Sequence, residues 1–108
     1  ELYRDYFLFW ESWADELVSF LNDKANTRKQ KECIQQAMDN LVKMRSLLNE
    51  EKARSLDKFA AELAAVKNVL FQSYLNSADF SYLKNKLERI KAKVHQGFVF
   101  SKIKKDLR

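Results

Sequence analysis

Few residues in this chain could do chemistry: it has one histidine, His95, and one cysteine, Cys33. A structural zinc site needs about four convergent ligands, which one of each does not supply. Helical di-iron sites use inward glutamates with Glu-x-x-His pairs. The residue three before His95 is Ala92, and no carboxylate falls in the centre of an apolar helical arc. Nucleophilic catalysis needs a base beside the serine or cysteine, and His95 lies far along the chain from Cys33. A phosphate-cradling loop needs several glycines, and Gly97 stands alone. Neighbouring acids such as Asp15-Glu16 and Glu50-Glu51 diverge on a helix. The expectation is a non-enzymatic protein with no metal, no cofactor and no small-molecule substrate.

Charge is the more informative signal. The 108 residues carry a net +5, unevenly placed: residues 83–108 hold 9 basic and 2 acidic groups, and residues 1–82 hold 11 and 13. Arg28, Lys29 and Lys31 crowd the start of a second helix, where the helix dipole already favours anions. Lys84, Lys86, Arg89 and Lys93 flank a later apolar stripe, with Lys91 beside Lys84, and Lys102, Lys104, Lys105 and Arg108 follow. Cations beside an apolar stripe suit a nucleic-acid backbone, an acidic protein or an anionic membrane surface. The candidate anion or nucleic-acid contacts are therefore Arg28, Lys29, Lys31, Lys84, Lys86, Arg89, Lys93, Lys102, Lys104 and Lys105. Lys43, Lys52 and Lys58 serve as background cations. Arg45 and Lys67 sit at the centre of apolar arcs, where a bundle edge or an acid across helices would accommodate them.

The elements that position these residues follow from periodicity. One glycine and no proline leave little turn chemistry, so few and long elements are expected. At 100° per residue, Leu2, Tyr3, Tyr6, Phe7, Phe9, Trp10, Trp13, Ala14, Leu17, Val18, Phe20 and Leu21 share one broad arc. Leu8 alone among the large apolar residues of Tyr6–Trp10 lies on the polar half. Residues 22–26 break the pattern, and Thr27 with Gln30 matches a capping box. A second stripe runs through Ile34, Ala37, Met38, Leu41, Met44 and Leu48. A third restarts out of register at Leu56, Phe59, Leu63, Val66, Leu70 and Tyr74, which places a turn at 49–55. Residues 76–79 form the next break, with Ser77 or Asp79 as cap. Leu83, Leu87, Ile90 and Val94 make the fourth stripe, ended by Gly97 or continuing through Phe100, Ile103 and Leu107. Trp10 and Trp13 are both expected in the core.

Four such helices with short connections predict an all-α, antiparallel up-down four-helix bundle. The alternative is a three-helix bundle with one long central helix, roughly 75 Å long at 1.5 Å per residue. That layout is similar to a spectrin-type repeat in length and in its first-helix tryptophan, but its helix proportions differ and no family is assigned. Residues 1–108 are expected to be one helical-bundle domain, a fragment of a longer protein because the chain opens on Glu1. Charged residues interrupt every apolar run, so no membrane span is expected. The single cysteine fits a reducing compartment, so an intracellular location, cytoplasm or nucleus, is expected, with a secreted, disulfide-free helical protein as the alternative.

The function expected on these grounds is an interaction module that self-assembles as a homo-oligomer or docks a partner protein, coiled-coil fashion. Its candidate interface residues are Leu8, Phe98, Phe100, Ile103 and Leu107, apolar positions outside the regular stripes. The alternative is a nucleic-acid-binding bundle, RNA or non-specific DNA, that uses the basic C-terminal helix for phosphate contacts.

Overall fold

Amphipathic stripes without strands to cover them can leave water only by turning toward one another. The structure, a computed structural model, describes residues 2–72 and 74–108. Among the described residues it contains α1 (Leu2–Ser19), α2 (Thr27–Ser46), α3 (Glu50–Leu70) and α4 (Ser77–Phe98), then a short α5 (Phe100–Ile103) and a 3-10 turn (Lys104–Asp106). Cross-helix contacts give the directions. Glu16 meets Lys29 across α1–α2, while Gln35 meets Lys67 and Arg45 meets Asp57 across α2–α3. Phe59 meets Phe98 across α3–α4, and Glu11 and Asp15 meet His95 and Lys91 across α1–α4. Within the α2–α3 and α1–α4 seams one residue number falls as its partner's rises, as between antiparallel helices. The longest dimension is 43 Å, too short for the rival single helix. No helix among the described residues is long and apolar enough to cross a membrane.

The stripes expected from periodicity form the core. Leu17, Ile34, Leu41, Met44, Leu56, Leu63, Leu83, Leu87 and Val94 are all essentially excluded from water around a fully buried Trp10. Among the described residues the Trp10 indole N–H has no hydrogen-bond partner, a desolvation cost of about 1–3 kcal/mol that its packing must offset. The broad arc of α1, however, divides. Tyr3, Phe7, Trp10, Ala14 and Leu17 are buried. Phe9 remains 53% exposed and Leu2 58%, with Tyr6 and Trp13 partly covered between them. A helix in a four-membered ring turns one flank to the outside, and 180° of apolar surface exceeds what two neighbours cover.

The junctions correct the sequence expectations in detail. Asn26, not Thr27, caps α2: its side-chain oxygen accepts from the Arg28 and Lys29 amides. Gln30 is buried instead, and its amide donates to the Phe20 and Asn22 carbonyls at 2.6 and 3.2 Å, clasping the turn from α1. The break at 49–55 shrinks to Leu47–Asn49, because Asn49 caps α3 by accepting from the Lys52 amide at 2.9 Å. Asn76 caps α4 in a reciprocal capping box with Asp79. Tyr74 falls outside α3 and is 85% exposed.

Gly97 does not end α4, which runs to Phe98 and stops where Val99 takes an extended conformation. That bend folds the following segment under the bundle, where Ile103 is fully buried. The Asn49 amide donates to the Asp106 carbonyl at 2.6 Å and the Arg108 amide to the Leu47 carbonyl at 3.0 Å. The Tyr3 hydroxyl donates to the Phe98 carbonyl at 2.6 Å, and burial holds the Tyr3 phenol well above its ordinary pKa.

Two stability measurements check this packing. Urea denaturation should show Trp10→Ala costing about 3–5 kcal/mol, the scale of a deleted core aromatic, and Trp13→Ala less than half of that. Asn76→Ala should cost about 1 kcal/mol through the lost cap, whereas Ser77→Ala should stay within about 0.5 kcal/mol, as at a surface site.

Candidate functional site

Histidine and cysteine are kept apart. Cys33 is fully buried on α2, and desolvation pushes its thiol up to about 11, with the Glu16 charge adding to the effect. His95 is exposed on α4, where its Nδ1 lies 2.7 Å from Glu11 Oε2 and its ring packs against Phe7 at 5.9 Å. Among the described residues no group of three or more His, Cys, Asp or Glu side chains could hold a metal ion. The two cations of the apolar arcs are explained by neighbours. Arg45 makes a two-pronged contact with Asp57 at 2.6 and 3.0 Å. That hydrogen bonding lowers the Asp57 pKa and raises that of Arg45. Lys67 donates to the Gln35 side-chain oxygen at 2.9 Å, an amide rather than an acid.

The five interface candidates fare unequally. Phe98 is only 3% exposed and Ile103 is fully buried, so both belong to this chain's own core and offer no surface to a partner. The reason is the bend at Val99, which converts an overhanging helix into a floor. Leu107 is partly buried and pairs with Leu48 through an isolated bridge. Leu8 and Phe100 border the same cleft. Leu8 is 57% exposed, and with Phe100, Val99 and Phe7 it lines an apolar cleft of about 270 Å³. Arg4, Glu11 and His95 form its rim, and the Arg4 guanidinium lies over the Phe100 ring at 4.1 Å. Sequence reasoning missed the second apolar surface, the ridge of Leu2 and Phe9. Its signal was the excess width of the α1 arc beyond the roughly 100° stripe a core needs.

The ten cation candidates do not converge on one surface. Lys29 lies 3.5 Å from Glu16 and 3.1 Å from Glu32, and its hydrogen bond to Glu32 with the Glu16 charge raises its pKa. The first amides of α2 already donate to Asn26, which leaves that helix end less free for an anion. Arg28 is exposed, and Lys31 lies over the Phe71 ring at 4.8 Å. Lys84 borders a recess with Leu21, Asn22 and Asp23. Lys91, beside it on α4, pairs with Asp15 and Glu88; burial disfavours its charge, yet the two carboxylates raise its pKa. Lys102, Lys104 and Lys105 are exposed on α5 and the 3-10 turn. Arg89 and Lys93 share a recess, and the third cation there is Lys58 of α3. Lys58 therefore is no background residue, because antiparallel packing of α3 on α4 brings it opposite them.

No family model matches the chain, and neither curated proteins nor solved structures supply a significant match. The thiol gives a direct check on the chemistry. With Cys33 buried and its pKa pushed up to about 11, iodoacetamide at neutral pH should label it no faster than the protein opens. Full labelling should return in denaturing urea.

Proposed function

We propose that the bundle is a non-enzymatic docking module, in which a protein partner or a second copy of the chain seats an apolar side chain in the Leu8–Phe100 cleft. The supporting observation is the cleft itself: Leu8, otherwise isolated on the polar half of α1, lies beside Phe7, Val99 and Phe100. Its volume of about 270 Å³ falls below the roughly 300–1,000 Å³ of small-molecule pockets, and suits one anchoring side chain better than a substrate. Arg4, Glu11 and His95 around it provide the polar rim that interfaces place about an apolar centre.

The nucleic-acid reading has weaker support. A phosphate backbone is held by many cations along one track, and here Lys29 and Lys91 are engaged by carboxylates of the same chain. The remaining cations divide among the start of α2, the outer side of α4 and the C-terminal turn.

Light scattering across concentration separates the readings. Association should persist in high salt, because apolar contacts are not screened, and Leu8→Lys should abolish it. That substitution should leave folding stability within about 0.5 kcal/mol, as at a surface site. A particle that stays monomeric alone and gains mass only with polynucleotide at low salt would overturn the docking reading as regards self-assembly and favour the alternative. If Leu8→Lys instead unfolds the protein, Leu8 is a core residue and the cleft is no surface.

A further inference from the structure

Lys58 of α3 and Arg89 and Lys93 of α4 surround a recess of about 230 Å³, lined also by Phe59, Ile90 and Glu62. Among the described residues none of the three cations forms a salt bridge, in contrast to Lys29, Arg45 and Lys91. Three cations face one carboxylate, so two positive charges stay uncompensated around a concave surface. Phe59 and Ile90 are buried in the helix seam, which fixes the backbone that carries Lys58 and Arg89, and the Lys58 ammonium lies over the Phe59 ring at 5.1 Å. Lys86 follows the same side of α4 one turn earlier. This recess lies across α4 from the Leu8 cleft and is independent of it.

We propose that the α3–α4 recess is a phosphate-recognition site, taking a phosphate monoester or free phosphate. The charge balance selects the ligand class. A phosphate monoester brings about −1.5 to −2 charges and three strong acceptor oxygens, which match the two uncompensated positive charges. A carboxylate brings one charge and two oxygens. The Arg89 guanidinium supplies a planar fork suited to two phosphate oxygens, and the two lysines act as mobile point charges on either side. Glu62 at the rim disfavours a longer polyanion laid along the groove, because successive phosphates would pass the carboxylate.

Nitrogen-15 NMR titration of the full chain tests the site. The probes are inorganic phosphate, a tripeptide with phosphoserine, the same peptide with glutamate, and a short single-stranded oligonucleotide. Inorganic phosphate up to about 10 mM, the range of a weak single-anion site, should shift the amides of residues 58–62 and 86–93 saturably. The phosphoserine peptide should bind more tightly than the glutamate peptide. R89E/K93E should weaken binding about tenfold or more, as for lost charge-assisted hydrogen bonds. K104E/K105E, equal in charge change, should weaken it less than about twofold, with helix content of both variants checked by circular dichroism. Stronger binding of the peptide than of inorganic phosphate assigns the site to phosphorylated chains; the reverse assigns it to the free anion. No saturable shift, equal losses from the two double variants, or glutamate and phosphoserine peptides binding alike would overturn the proposal. So would an oligonucleotide that shifts groove and tail equally while phosphate does nothing.

Discussion

In a chain with no proline and one glycine, the starts of three long helices depend on one recurring interaction, an asparagine side-chain oxygen accepting from the first free backbone amides. Asn26, Asn49 and Asn76 each make it, at the heads of α2, α3 and α4. A helix start leaves about four amide donors without internal partners, and a short polar side chain meets that need without a special backbone angle; no described residue has positive φ. Because the caps sit close behind the preceding helix ends, the connections are short. Short connections force consecutive helices to lie side by side in opposite directions. The core stripes then face one another, and every seam, cleft and recess follows from that alignment.

Helical periodicity reached the core because burial is a property of helix faces, and a face is legible in one dimension. The stripe through Leu83, Leu87, Ile90 and Val94 is buried throughout. Local cap geometry was harder. Thr27 and Gln30 have the right spacing for a capping box, but Asn26 competes from one residue earlier and Gln30 has a better use across the turn. The width of the α1 arc was visible, whereas its division into a buried flank and an outer ridge depends on where α2 and α4 stand. The surface sites needed the third dimension altogether. Leu8 was identifiable as an outlier on α1, but its neighbour Phe100 arrives by the bend at Val99. Lys58 looked like background until α3 was laid against α4.

Part of the basic excess is absorbed inside the molecule. The acidic outer edge of α1 lies against α4, where Asp15 engages Lys91 and Glu11 engages His95. Glu16 draws in Lys29 in the same way across the α1–α2 seam. These pairs are at least partly exposed, so each contributes little to stability. Their effect lies in alignment, since they favour one register between helices whose apolar stripes alone would tolerate sliding. What remains outside is a smaller and more localised set of cations than the composition suggests.

The segment that folds beneath the bundle has a consequence for the order of events during synthesis. Its ties reach back more than half the chain: Asp106 to Asn49, Arg108 to Leu47, and, just before it, Phe98 to Tyr3. The α1–α2 and α2–α3 hairpins are local and can pair while later residues are still being added. The floor cannot be laid until Ile103 has emerged, and until then the hydrocarbon it covers faces water. Closure of this end of the core therefore waits on contacts of long sequence separation, the slowest kind to form, while the hairpins above it assemble from local ones.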